Sequence, residues 1–382
     1  MTTQDSPHKL RVLIVGGGVA ALETTLALGR LAPEHTATTV LAPNTEFAYR
    51  PMTVREPFAY CAARRYPLAP IVREAGAELI NGELDWIEPA EHTIHTKAGE
   101  ALGYDALVLA LGARAVCRYT HAIMIDDRRM DESLHGLIQD IEGGYLRSLA
   151  FVSPARLAWQ LPLYELALMS AGRAYDMQVE LSTTIVTPEE SPLAVFGSTA
   201  SDAVAALLER AGVKTINSAY AEVPTPGEVV IHPGDRRLRV NQVIALPELY
   251  GPSVRGIPLG EHGFIKVDTH GAVREVRDVY AAGDATDFPI KHGGLAAQQA
   301  DAAAESIAAR AGASVVPQPF DPVIHGMLLT DAKPMYLTAK IAGGHGFSSQ
   351  VGDGATWSPP GKIAAKYLAP ALERRDREVA AA

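Results

Sequence analysis

Two short stretches carry residues whose types and spacing could do chemistry. Gly16, Gly18 and Ala21 form a GxGxxA turn directly after the apolar run Leu10 to Val15. Gly16 permits a sharp turn, Gly18 lets the backbone approach a phosphate, and Ala21 is small enough for close helix–strand packing. The residues after it, Ala20 to Leu31, are good helix formers. The backbone N–H groups around Val19, Ala20 and Ala21 would therefore face an anion from a helix N-terminus. Late in the chain, Gly283-Asp284 follows the run Val279-Tyr280-Ala281-Ala282, so a carboxylate stands at a strand end. Lys291 and His292 come just before Gly293-Gly294-Leu295 and add a cation and an ionisable ring. Each residue also has a plainer reading: a glycine turn without ligand, an Asp that caps the next helix, a solvated Lys291, an exposed His292.

Some expected parts are missing. A dinucleotide-binding unit usually ends its second strand with Asp or Glu, which grips a ribose. Here that place reads Ala42-Pro43-Asn44-Thr45-Glu46. Asn44 offers one hydrogen bond but no carboxylate, and Glu46 stands slightly too far on. The only cysteines, Cys61 and Cys117, have neither CxxC nor CxxxxC spacing, so no metal site or local redox pair is expected. A later strand, Leu149 to Val152, is followed by Ser153-Pro154-Ala155-Arg156. Proline removes an N–H and the side chains would crowd a pyrophosphate, although Arg156 could contact a phosphate.

The elements that must hold these residues follow from periodicity. Thr38 to Leu41 completes a βαβ unit with the first strand, and Tyr104 to Ala113 reads as a buried strand ending in a small-residue turn. Glu78 to Ile80 and Thr93 to Thr96 read as meander strands. From residue 119 helices and strands alternate again, which implies a second parallel sheet. The 382 residues, 47% hydrophobic and 20% charged, describe a soluble globular chain with ample core. A net charge of −10 without a basic block argues against a nucleic-acid partner. Met1 to His8 lack a signal-peptide pattern, and no apolar run approaches the roughly 20 residues that cross a bilayer. The expectation is a cytoplasmic protein, with peripheral contact at a membrane surface left open.

Gly16-Gly17-Gly18, the strand end Tyr104 to Gly112, and Val279 to Asp284 resemble, in order, three signatures of the FAD-dependent pyridine nucleotide–disulfide oxidoreductase superfamily. Pro289 to Ala300 and Pro162 to Leu168 resemble segments of its branch with sulfide:quinone oxidoreductases and type II NADH dehydrogenases. The resemblance implies an α/β chain with two Rossmann-like FAD/NAD(P)-binding domains. Residues 1–118 and 251–312 would form a discontinuous FAD domain, 119–250 the second Rossmann-like domain, and 313–382 a small C-terminal segment. It also implies that FAD is held by Gly16, Gly18, Val19, Ala20, Ala21, Pro43, Asn44, Arg50, Ala110, Gly112, Gly283, Asp284, Lys291, Gly294 and Leu295. Asp284 would accept hydrogen bonds from the ribityl hydroxyls. Lys291 and the helix after it would stabilise negative charge at the flavin N1/O2 edge.

The departures narrow the function. Disulfide members of the superfamily carry CxxxxC near Tyr49 to Tyr60, and sulfide oxidation in the branch needs two or three cysteines near the flavin. Neither pattern is present. The expected activity is an FAD-dependent oxidoreductase that passes electrons to a small acceptor, a quinone being a reasonable candidate. An NAD(P)H dehydrogenase with a non-standard nicotinamide site and a non-catalytic flavin-binding scaffold are the alternatives. The C-terminal stretch Ile363, Tyr367, Leu368 and Leu372 reads as one face of a helix, flanked by Lys362 and Lys366 and ended or kinked at Pro370. Either it touches a membrane or quinone pocket, or it packs on its own domain.

Overall fold

The computed structural model describes residues 9–156, 159–330, 332–342 and 345–381. Strands β1 (Leu10–Val15), β2 (Thr36–Ala42), β3 (Glu78–Asn81) and β4 (Ala106–Leu109) pair in parallel, and helix α1 (Val19–Leu31) crosses from β1 to β2. A second parallel sheet follows, built from β5 (Ile123–Met124), β6 (Ser148–Val152), β7 (Ser182–Val186), β8 (Val213–Ile216) and β9 (Gln242–Ala245). Its helices are α2 (Met130–Glu142), α3 (Leu161–Asp176) and α4 (Ser198–Arg210). The chain then returns as β10 (Val279–Ala281), which pairs with β4 and gives the first sheet the order β10-β4-β1-β2-β3. Two Rossmann-like sheets result, the first discontinuous in sequence.

The apolar run of β1 is continuous because both faces of its sheet are covered. Val12 and Ile14 pack toward α1 and toward α5 (Gly293–Arg310). Leu13 and Val15 pack on the other side with Ile87 and Ile94 of an antiparallel meander and with Tyr104 just after it. The alanines of α5, among them Ala296, Ala297, Ala300 and Ala304, are buried against α1, whose own Ala20, Ala21 and Ala27 are equally small. Small residues on both helices let the two backbones approach each other.

Two expectations change. Glu78 to Ile80 is a parallel edge strand, β3, paired with β2 from Thr39↔Glu78 onward, not part of the meander. Its edge position leaves half its residues wet, which disguises it as a polar hairpin strand. The C-terminal segment is also more regular than its Pro and Gly clusters suggest. It contains an antiparallel sheet of β11 (Val323–Leu328), β12 (Met335–Ala342) and β13 (His345–Gly352), then helix α6 (Leu368–Ala381). Ile363 precedes α6 rather than lying in it. Pro370 falls in the first turn, where a missing N–H costs nothing, so it neither ends nor kinks the helix.

Candidate functional site

Because β1, β2, β4 and β10 are parallel, the turns that leave them open onto one edge of the sheet. Gly16 and Gly18 leave β1, Pro43 and Asn44 leave β2, Ala110 and Gly112 leave β4, and Gly283 and Asp284 leave β10. Ligands of open α/β sheets bind at this carboxyl edge, where the strand order reverses. The reversal here lies between β1 and β4.

Gly16 has φ +135 and its N–H donates to the Leu41 carbonyl at 2.9 Å. A Cβ there would overlap the backbone carbonyl of Ala110, so β1 and β4 approach closely only with glycine at this position. A Cβ on Gly18 would meet nothing within 4 Å. The space above the α1 N-terminus is open, and α1 has neither a side-chain cap nor an acidic residue in its first turn. Its N–H groups and dipole are thus left for an anion.

The two stretches far apart in sequence meet here. A Cβ on Gly283, which has φ +79, would stand 3.1 Å from Ala20 Cβ and 3.2 Å from Ala296 Cβ. Gly283 N–H donates to Gln299 Oε1 at 2.8 Å, and Thr286 Oγ1 donates to the Gly283 carbonyl at 2.9 Å. This holds the turn so that Asp284 is half-buried at the edge. Asp284 caps no helix, and among the described residues no protein group donates a hydrogen bond to its carboxylate. Burial pushes its pKa up, while Lys291 and Arg50 pull it down and Asp127 opposes them. Arg50, at the start of a 3-10 turn, pairs with Asp127 at 3.8 Å.

Lys291 is only 5% exposed, so the solvated-lysine reading fails. Its ammonium donates to the Thr286 carbonyl and lies 4.0 Å from the Phe264 ring centre. Burial lowers its pKa to about 8, with Asp284 and Asp287 pulling the other way. His292 is 7% exposed rather than solvated. Its Nδ1 accepts the Gly294 N–H at 3.2 Å and caps α5, so the proton of the neutral ring sits on Nε2. Burial, then the neighbouring His325 and Lys362, push His292 down to about 3. It therefore stays neutral and is no proton relay near neutral pH. Leu295 is a core side chain and offers the edge only its backbone, while Asn44 is exposed beyond β2.

One buried pair gave no local sequence signal. Lys362 Nζ lies 2.6 Å from both oxygens of Glu165, which is fully enclosed on α3 and also accepts the Leu329 N–H at 2.8 Å. Burial drives the carboxyl up and the ammonium down, and each partner offsets the other. The next residue, Ile363, packs on Gly293, and its N–H donates to Tyr49 Oη at 3.0 Å. The C-terminal segment thus crosses the N-terminus of α5 and ties it to the second sheet. Ile363, Leu368 and Leu372 are buried in the first domain's core, which favours the reading of a segment packed on its own domain.

The turn after β6 is filled by protein. Ser153 is buried, its Oγ accepts Gln160 Nε2 at 2.7 Å, and its carbonyl accepts Tyr119 Oη at 3.4 Å. Pro162 stands in the first turn of α3, and Arg156 lies 5.6 Å from the Tyr250 ring centre. Leu157 and Ala158 lie outside the described residues. Further along, Glu189 is bonded to Tyr164 Oη at 2.7 Å, and burial raises its pKa to about 7. Cys61 and Cys117 are free and exposed.

Residues 165–305 match the model of the pyridine nucleotide-disulphide oxidoreductase family. A sulfide-quinone reductase of Aquifex aeolicus (strain VF5) is 30% identical over 110 residues, which is 28% of this chain and 25% of that protein. The aligned stretch therefore spans about a quarter of that relative. The solved sulfide:quinone oxidoreductase of Aquifex aeolicus superposes with a TM-score of 0.79 over 96% of this chain and 90% of its own, at 18% identity. A chain of the Tetrahymena thermophila mitochondrial ATP synthase has the same fold at a TM-score of 0.65 and 14% identity, covering 91% of this chain and 90% of that one. Such a fold serves more than one end, so function must be argued from the site.

Proposed function

We propose that the chain, which is similar to the pyridine nucleotide–disulphide oxidoreductase family over residues 165–305 and shares the fold of a sulfide:quinone oxidoreductase, is an FAD-dependent oxidoreductase delivering electrons to a small acceptor, a quinone. The observation that carries this reading is the convergence of the Gly16 turn with Gly283-Asp284 around a carboxylate that accepts no hydrogen bond from the described residues. The residues fit FAD. The open α1 N-terminus suits the pyrophosphate, and Asp284 suits the ribityl hydroxyls. Lys291 and the α5 N-terminus suit the flavin N1/O2 edge. Gly18, Val19, Ala20 and Ala21 line the first of these, and Ala110, Gly112, Gly294 and Leu295 supply backbone around it. Pro43 and Asn44 stand at the adenosine end.

When bound, the flavin supplies the two-electron redox chemistry. The chain's own part is electrostatic. Lys291 holds a positive charge at the edge below about pH 8. The neutral His292 keeps the first turn of α5 in place. Asp284 and Arg50 set the remaining field.

The donor is neither a dithiol nor a standard nicotinamide in this reading. Both cysteines are exposed and free, and the β6 turn is occupied by Ser153, Gln160 and Tyr119. Among the described residues, no helix is long and apolar enough to cross a membrane; a quinone would then be met at a membrane surface. The test is anaerobic titration of the flavin-loaded protein with NADH, NADPH and sulfide, followed by a short-chain quinone. Reoxidation of reduced protein by the quinone, with no bleaching by NADH, is the expected result. Rapid bleaching by NADH would favour the nicotinamide reading, and a flavin that no donor or acceptor touches would favour a scaffold.

A further inference from the structure

Glu23 on α1 and Asp301 on α5 face each other between the two helices. Glu23 is fully buried. Its carboxylate accepts the N–H of Tyr367 at 2.8 Å and of Leu368 at 2.6 Å, the groups that open α6. Asp301 and Glu23 are neighbours that interact side chain to side chain, and Asp301 Oδ1 is buried with no donor to it among the described residues. Two carboxyl groups in contact and shielded from water do not both ionise cheaply, so they share one proton. Without it, the anion that caps α6 is repelled by its neighbour.

The location gives this proton a consequence. Immediately upstream, Lys362 is tied to Glu165 and Ile363 lies on Gly293, at the N-terminus of α5. We propose that Glu23 and Asp301 form a proton-operated latch, which docks the C-terminal strap of residues 361–372 over the α5 N-terminus and releases it when the shared proton leaves to solvent. The latch goes beyond the proposed electron transfer and does not depend on it.

The charges around the pair are few. Lys366 on the strap and Glu305 on α5 are 3.7 Å apart, and Lys366 also lies 5.2 Å from the Tyr367 ring centre. Further along α6, Arg374 and Arg375 pair with Glu74, and Asp376 pairs with Arg64 and Tyr66. Lys366 pulls the Asp301 carboxyl down and Glu305 pushes it up, both less strongly than burial and Glu23 raise it. Burial, followed by the charge of Glu23, raises Asp301 to about 8, and burial raises Glu23 as well. A carboxyl raised in the docked state contributes fully below its undocked pKa. That contribution is lost as pH climbs through the docked value. The strap is therefore held most firmly in acid and loosens up to about pH 8.

The test is amide hydrogen exchange of the full-length protein across residues 363–372, at pH 6 and pH 9, corrected for intrinsic exchange rates. In the wild type, linkage predicts that opening of the strap rises by about tenfold or more between these values. In Asp301→Asn, the amide donates permanently to Glu23, and the rise falls below about twofold. An unchanged wild-type strap, or an equal rise in Asp301→Asn, overturns the latch. Should Asp301→Asn not fold, Glu23→Gln replaces it. That variant exchanges faster than wild type at pH 6 but with a flattened pH response, and a wild-type response in it would equally overturn the proposal. Exchange within α4 serves as the control and stays constant.

Discussion

Replacing Lys362 with Met should destabilise the protein sharply, and the structure sets the size. Glu165 and Lys362 are 0% and 5% exposed, and the ammonium bridges both carboxylate oxygens at 2.6 Å. Removing one partner of such a pair costs about 3–5 kcal/mol, because the other charge stays buried without compensation. The lower end, about 3 kcal/mol, applies near neutral pH. Glu165 keeps the Leu329 N–H and can take up a proton. Replacing both partners with Met removes the stranded charge and leaves only that N–H unsatisfied, a cost of about 1–3 kcal/mol. The double variant should therefore be no worse than Lys362→Met alone, with a coupling of roughly 2 kcal/mol or more. Urea denaturation followed by circular dichroism, with FAD saturation held equal, measures the wild type, Lys362→Met, Glu165→Met and the double variant. The pH response gives an independent check. In Lys362→Met the folded-state pKa of Glu165 lies above its unfolded value, so its penalty vanishes at acid pH and grows as pH rises. The deficit of Lys362→Met should shrink on acidification. A single-variant cost below about 1 kcal/mol, or a double variant equal to the sum of the singles, would refute the reasoning.

Other outcomes follow from the same geometry. Gly16→Ala should fold poorly and lose FAD, since its Cβ overlaps the Ala110 carbonyl at φ +135; near-native melting would contradict this. Gly18→Ala should leave the apoprotein within about 0.5 kcal/mol of wild type, because its Cβ meets nothing within 4 Å, yet weaken FAD binding severalfold by calorimetry. Lys291→Met should lower the flavin reduction potential on the order of 30 mV below pH 8, which spectroelectrochemistry would detect. The gap should close as pH passes about 8, where wild-type Lys291 itself loses its charge.

Much of the site was legible because its chemistry is local. Gly16, Gly18 and Ala21 are fixed by one turn, and Gly283-Asp284 by another; a parallel sheet then brings both to one edge without further information. The sequence pattern of β3 resembles a meander strand because an edge strand need not be apolar. Lys291 and His292 were ambiguous for a different reason. Their burial depends on Phe264, Trp159 and the C-terminal segment, all distant in sequence. The pairs Glu165–Lys362 and Glu23–Asp301 were invisible. Each joins helices and segments that meet only through tertiary packing, and a lone Glu on a helix looks the same whether wet or enclosed. Ile363 to Leu372 had the period of a helix face, but the Glu23 carboxylate fixes the start of α6 at Leu368.

The central claim is that one FAD is held between the Gly16 turn and Asp284. The most direct measurement is the flavin content of the purified protein beside Asp284→Ala, by absorbance and by extraction after saturation with FAD. One FAD per chain in the wild type, with a loss of tenfold or so in affinity for the folded variant, is the predicted result. A wild-type protein that binds no flavin, or an Asp284→Ala variant that binds it unchanged, would contradict the account.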